Sequence, residues 1–130
     1  MTLFRLGTFT SSTGHTLPWK IECNALTADD WACLAAIYAV LPFPPFGQVH
    51  GVPRGGFLFA LALKKYVTEG APGILIADDV LTTGGAMRRS LGWLTPADRA
   101  EARGVVAFDR SGQPLPPNVF ALFSLNTSGM

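Results

Sequence analysis

Two adjacent carboxylates, Asp78 and Asp79, are followed after Val80 and Leu81 by Thr82-Thr83-Gly84-Gly85. Carboxylates accept hydrogen bonds from a sugar diol and can place a hydrated cation. A Thr-Thr-Gly-Gly turn that opens a helix offers backbone N–H groups and hydroxyls to an anion. Its glycines let the backbone come close to a ligand. The spacing therefore suits a molecule that carries both a diol and a phosphate. A second glycine-rich stretch, Gly51-Val52-Pro53-Arg54-Gly55-Gly56, makes a further anion site, because Arg54 can hold two oxygens at once.

The elements that must position these groups follow from pattern. Ile74–Ala77 is a short apolar run after a Pro-Gly turn, as in a buried parallel strand. The two acids then lie at its carboxyl end, where open α/β sheets bind ligands. Gln48–Val52 is a short strand before the second loop, and Phe57–Val67 an apolar helix after it. Gly85–Trp93 is helical, with Arg88 and Arg89 exposed. Thr95-Pro96 starts another helix, running to about Arg103. Gly104–Phe108 and Val119–Leu125 are strands. Upstream, Leu3–Thr10 and Leu17–Cys23 form a strand pair, although Phe4, Leu6 and Phe9 keep no single parity. Thr27 caps a helix with Asp29 and Asp30 in its first turn, and Trp31, Leu34, Ala35, Tyr38 and Leu41 on its apolar face. The alternation implies a small parallel sheet with helices on both faces.

Composition limits the classes of function. The 130 residues make one domain, and a hydrophobic share of 48% supplies its core. That share is high for so small a chain and hints at an apolar surface covered by a partner. A net charge of +1 argues against a nucleic-acid surface. The long uncharged run Trp31–Pro53 is broken by Pro42, Pro44 and Pro45, so it is no membrane span. The start MTLFRLGTF lacks the pattern of a signal peptide. Cys23 and Cys33 have neither metal-ligand nor disulfide spacing, and read as reduced, partly buried thiols. A soluble, cytoplasmic protein is expected.

The string Ile74–Met87 resembles the phosphoribosyl-pyrophosphate motif of type I phosphoribosyltransferases, and Gly51–Gly56 resembles their pyrophosphate loop. Two further stretches are similar to orotate phosphoribosyltransferases. Gly7-Thr8-Phe9 with Thr13–Trp19 resembles the turn and aromatic that cover the base. Here Ser11 and Ser12 stand where that family has leucine and commonly lysine, and Leu17 where it has serine. Val105–Arg110 with Ser111-Gly112 resembles the strand whose arginine recognises the base. The resemblance covers roughly residues 7 to 125.

What the resemblance implies is a reduced phosphoribosyltransferase-type sheet flanked by helices (residues 25–130), with an N-terminal hood hairpin (residues 1–24). The implied activity transfers ribose 5-phosphate from phosphoribosyl pyrophosphate to a nucleobase, with orotate or a related pyrimidine favoured, in nucleotide metabolism. Catalysis in such enzymes, through an oxocarbenium-like transition state, is largely positioning and charge placement. Asp78, Asp79 and Arg54 are the implied catalytic groups. Gly51, Val52, Pro53, Arg54, Gly55, Asp78, Asp79, Thr82, Thr83, Gly84, Gly85 and Ala86 would hold phosphoribosyl pyrophosphate. Trp19, Thr82 and Arg110 would hold the base. Asp78 and Asp79 would hold Mg²⁺ through water, and a homodimer is expected. His15 and His50 read as non-catalytic, though His50 could touch pyrophosphate, and Lys20 as a solvated strand lysine. One departure is large: Phe57–Gly73 leaves no room for the two strands and mobile loop that such enzymes carry between the two motifs. A non-catalytic protein that binds phosphoribosyl compounds is therefore the alternative expectation.

Overall fold

A computed structural model describes residues 2–10, 14 and 16–125. Ser11, Ser12, Thr13 and His15, singled out above, lie outside the described residues. Strands β1 (Phe4–Thr10) and β2 (Thr16–Ile21) form an antiparallel hairpin. The strand register shifts between Leu6 and Phe9, which is why the apolar residues of β1 lose their parity. Leu6 consequently points to solvent.

Helix α1 (Ala28–Ala39) starts where Thr27 predicts. The Thr27 hydroxyl accepts from the Asp30 N–H at 3.1 Å, and the Asp30 carboxylate accepts from the Thr27 N–H at 2.8 Å. This closes a capping box, so Asp30 does more than complement the helix dipole.

A four-stranded sheet in the order β3 (Gln48–Gly51), β4 (Ile74–Leu81), β5 (Ala102–Asp109), β6 (Val119–Ser124) is parallel throughout. On one face, Trp31, Leu34 and Tyr38 of α1 and Phe59 and Leu63 of α2 (Phe57–Leu63) pack on Leu75, Ala77, Val105 and Ala107. On the other, Met87 of α3 (Gly85–Gly92) packs on Ile74, Ile76, Val106 and Val119. The alternation of consecutive β4 residues between two cores explains its uninterrupted apolar run.

Four expectations need correction. Strand β4 does not stop at Ala77 but runs to Leu81, because its pairing with β5 continues to Leu81 opposite Asp109. The helix after Gly56 ends at Leu63 and tightens into a 3₁₀ turn, Lys64–Tyr66. Helix α4 (Pro96–Ala100) stops well before Arg103, since Ala102 already pairs with Ile74 and is buried. Cys33 is exposed on α1, whereas Cys23 is buried. Residues 57–73 contain a helix, a 3₁₀ turn and a connecting turn, with no strand. No helix of the described residues is long and apolar enough to cross a membrane.

Candidate active site

Because β3 and β4 are neighbours, their following loops lie side by side at the carboxyl edge of the sheet. Between them is a cavity of about 320 Å³, lined by Pro53 and Gly55 from one loop and Asp78–Ala86 from the other. That is the lower end of the range for small-molecule sites.

The first loop is pressed onto β4 by backbone contacts. The Val52 N–H donates to the Ala77 carbonyl at 2.8 Å, and the Gly56 N–H donates to Val52 at 2.9 Å. A methyl at Gly55 would meet the Asp79 carboxylate, with Cγ 2.8 Å away. Glycine at 55 thus lets the loop lie directly against the acid. The Pro53–Arg54 peptide is cis. Arg54 is exposed, and its side chain does not line the cavity, although the residues on either side do.

The second loop turns at Gly84, whose φ of +84° favours glycine, and α3 begins at the next residue. The Gly85 N–H donates to the Thr83 hydroxyl at 3.4 Å. Arg88 folds back over the loop and donates from Nη1 to the Thr83 carbonyl at 3.2 Å.

The two acids differ in environment. Asp78 is buried and accepts from the Asp79 N–H at 2.8 Å, while Asp79 is half-buried and accepts from the Val80 N–H at 2.7 Å. Burial, and next the hydrogen bond and charge of Asp79, push the Asp78 carboxyl up to about 8. On the hairpin side, burial and then the charge of Asp79 push the Cys23 thiol up to about 12. That keeps the Cys23 thiol neutral.

Trp19 and Arg110 are brought together from opposite ends of the chain, outside the cavity lining. The Arg110 guanidinium carbon lies 3.7 Å from the Trp19 ring centre, and its Nη1 donates to the Trp19 carbonyl. The Arg110 backbone N–H donates to Leu81 at 3.0 Å, which ties this pair to the end of β4 beside Thr82. Arg110 therefore fastens the hairpin to the sheet. Arg110→Ala is expected to cost about 1–2 kcal/mol of stability. It should also speed amide exchange across Thr16–Ile21, and unchanged exchange there would refute the fastening role.

Other residues stay apart. His50 is exposed, with Nε2 3.1 Å from the Gln48 amide oxygen. Lys20 pairs with Glu22 at 3.1 Å. A second cavity, about 240 Å³, is lined by Tyr38, Pro44, Pro45 and Pro72 at the opposite edge of the sheet, without paired carboxylates. Met87 and Val106 line the site too. Arg89 is exposed, as expected, and it also lines the site, a placement that the spacing does not give. The available signal was its place one turn into α3, since helical side chains lean toward the N-terminus.

A four-stranded parallel sheet flanked by helices, with an N-terminal antiparallel hairpin and two glycine-rich loops on adjacent strands, has the type I phosphoribosyltransferase fold. Solved structures of that fold superpose on nearly the whole chain. The UMP synthase of Leishmania donovani matches at a TM-score of 0.74 and 23% identity, over 95% of this chain and 34% of that one. The chain thus spans about a third of the length of that protein. The orotate phosphoribosyltransferase of Aeropyrum pernix matches at 0.69 and 17% identity, over 95% and 88%. The adenine phosphoribosyltransferase of Leishmania donovani matches at 0.62 and 14%, over 94% and 76%. No family profile and no curated sequence matches the chain.

Proposed function

We propose that this protein is a phosphoribosyltransferase that moves ribose 5-phosphate from phosphoribosyl pyrophosphate to a nucleobase, with orotate or a related pyrimidine favoured. The observation that carries the reading is the single cavity in which Pro53 and Gly55, the acid pair and Thr82–Ala86 converge. In this reading Thr82, Thr83, Gly84, Gly85 and Ala86 hold the 5-phosphate. Asp78 and Asp79 hold the ribose hydroxyls. The Gly51–Gly55 loop, with Arg54 at its rim, holds pyrophosphate, and Trp19, Thr82 and Arg110 place the base. Two carboxylates facing one cavity are a fitting donor set for hydrated Mg²⁺. A bound magnesium would offset the charge of the departing pyrophosphate.

Exposed Phe57, Leu58 and Leu61 on α2, which directly follows the pyrophosphate loop, support a homodimer. A second subunit there would lie close to Arg54.

Incubation with phosphoribosyl pyrophosphate, Mg²⁺ and a panel of bases is expected to release pyrophosphate only when a pyrimidine acceptor is present. The short connection 57–73 favours the second reading, a non-catalytic protein that binds phosphoribosyl compounds. Measurable binding with no pyrophosphate from any base would establish that reading in place of the first.

A further inference from the structure

We propose that Arg89 is a side-chain ligand of the 5-phosphate and the residue by which the cavity selects phosphorylated over unphosphorylated ribose. The inference rests on the phosphoribosyl reading of the cavity and adds to it a charged grip at the phosphate end.

Arg89 is the one cationic side chain among the residues that line the cavity. It projects from the second turn of α3, and its lean toward the helix N-terminus carries it over Gly85 and Ala86. The two arginines on this turn have different tasks. Arg88 is committed to the loop through Thr83, and its Nη1 would lie 3.3 Å from a methyl at Gly84. Arg89 has no carboxylate partner among the described residues, where the ion pairs are those of Glu22 with Arg5 and Lys20.

Charge placement gives Arg89 its purpose. The other ionisable side chains lining the cavity are the acids Asp78 and Asp79, so no second cation is there to attract a phosphate dianion. Backbone dipoles at a helix start attract an anion only weakly once an acid is near. A guanidinium at the phosphate end reverses the sign of the field there and offers paired N–H groups to phosphate oxygens. The carboxylates remain at the diol end. The cavity thereby carries a cation at the phosphate end and the acid pair at the ribose end, which matches ribose 5-phosphate and opposes its reversed binding. Arg54, outside the lining, cannot supply this charge.

Calorimetric titration of ribose 5-phosphate and of ribose into the full chain tests the assignment, with wild type, Arg89→Gln and Arg89→Lys compared at low and moderate salt. Wild type is expected to bind ribose 5-phosphate and to bind ribose far more weakly. Arg89→Gln should lose about tenfold in affinity for ribose 5-phosphate and become less sensitive to salt, with its melting temperature unchanged. Arg89→Lys should recover part of the loss, since it restores the charge without the fork. Equal affinity of Arg89→Gln and wild type for ribose 5-phosphate would overturn the role of Arg89 while leaving the phosphoribosyl reading intact. Failure of wild type to bind ribose 5-phosphate at all would overturn that reading, and the assignment with it.

Discussion

Asp79→Asn is expected to lower affinity for phosphoribosyl pyrophosphate by about tenfold to a hundredfold, while Asp78→Asn makes the ligand-free protein more stable. The two acids are adjacent, and the difference comes from where each carboxylate lies. Asp79 is half-buried against Gly55 and faces the ligand space, so its loss removes charge-assisted hydrogen bonds to ribose hydroxyls. The Val80 N–H that donates to it can still be accepted by an asparagine oxygen, and the fold should hold. Asp78 is buried, and its carboxyl is raised to about 8, chiefly by desolvation. A raised carboxyl favours the neutral form in the folded chain. Ionisation of Asp78 therefore costs nothing at acid pH. The cost grows as pH rises from the usual carboxylate range through about 8, and it is full above that. Asparagine keeps the acceptor for the Asp79 N–H and carries no charge. Asp78→Asn should thus melt about 5 °C higher than wild type at alkaline pH, with the gap closing in acid. Thermal melts across pH and a binding titration of each variant check both halves. A constant gap at all pH values would exclude ionisation of Asp78 as the cause. Unchanged affinity in folded Asp79→Asn would remove Asp79 from the ribose site.

The second large effect belongs to a glycine beside the site. Gly56→Ala is expected to destabilise the protein by about 3 kcal/mol or more. The added methyl would press on the Ala77 carbonyl and stand 2.7 Å from the Val52 nitrogen. Those two atoms form the hydrogen bond that seats the Gly51–Gly56 loop on β4. Both obstacles are backbone within the sheet edge, so neither can turn aside. Gly55→Ala meets a side chain instead, the carboxylate of Asp79, which can rotate. It should spare the fold and weaken phosphoribosyl pyrophosphate binding. Urea unfolding separates the two: a large fall in the midpoint for Gly56→Ala and a small one for Gly55→Ala. Equal midpoints would mean that the loop is not seated as described.

These two cases show how function and stability divide along one strand end. The acid pair lies where β4 has lost β3 as a neighbour and is still paired with β5. A buried acid at that edge is a cost in the free protein. The short connection between the loops leaves the cavity open on the side where a lid would otherwise close.

Much of this was legible in the chain itself. The apolar run before Asp78, the Thr-Thr-Gly-Gly turn, the glycine-rich loop at 51–56 and the cap at Thr27 all depend on interactions within a few residues. Glycine at a positive φ, an N-cap hydroxyl and the two-residue period of a strand are local physics, so they can be read without knowing the fold. The placement of both loops side by side came instead from the pairing of β3 with β4.

What only the tertiary structure decided were the partners of side chains distant in sequence. Arg110 meets Trp19 across 91 positions of the chain. Strand β4 reaches Leu81 because β5 extends beside it. Asp78 and Asp79 are adjacent in sequence, and burial first, then the hydrogen bond and charge of Asp79, makes Asp78 costly to ionise. Arg89 is exposed, and the direction of α3 against the sheet is what brings it to the cavity as well. Burial and charge environment are sums over neighbours from many segments, and no short stretch of sequence contains those neighbours. The loops that could hold a phosphoribosyl group were written locally, whereas the field around them was set by the fold.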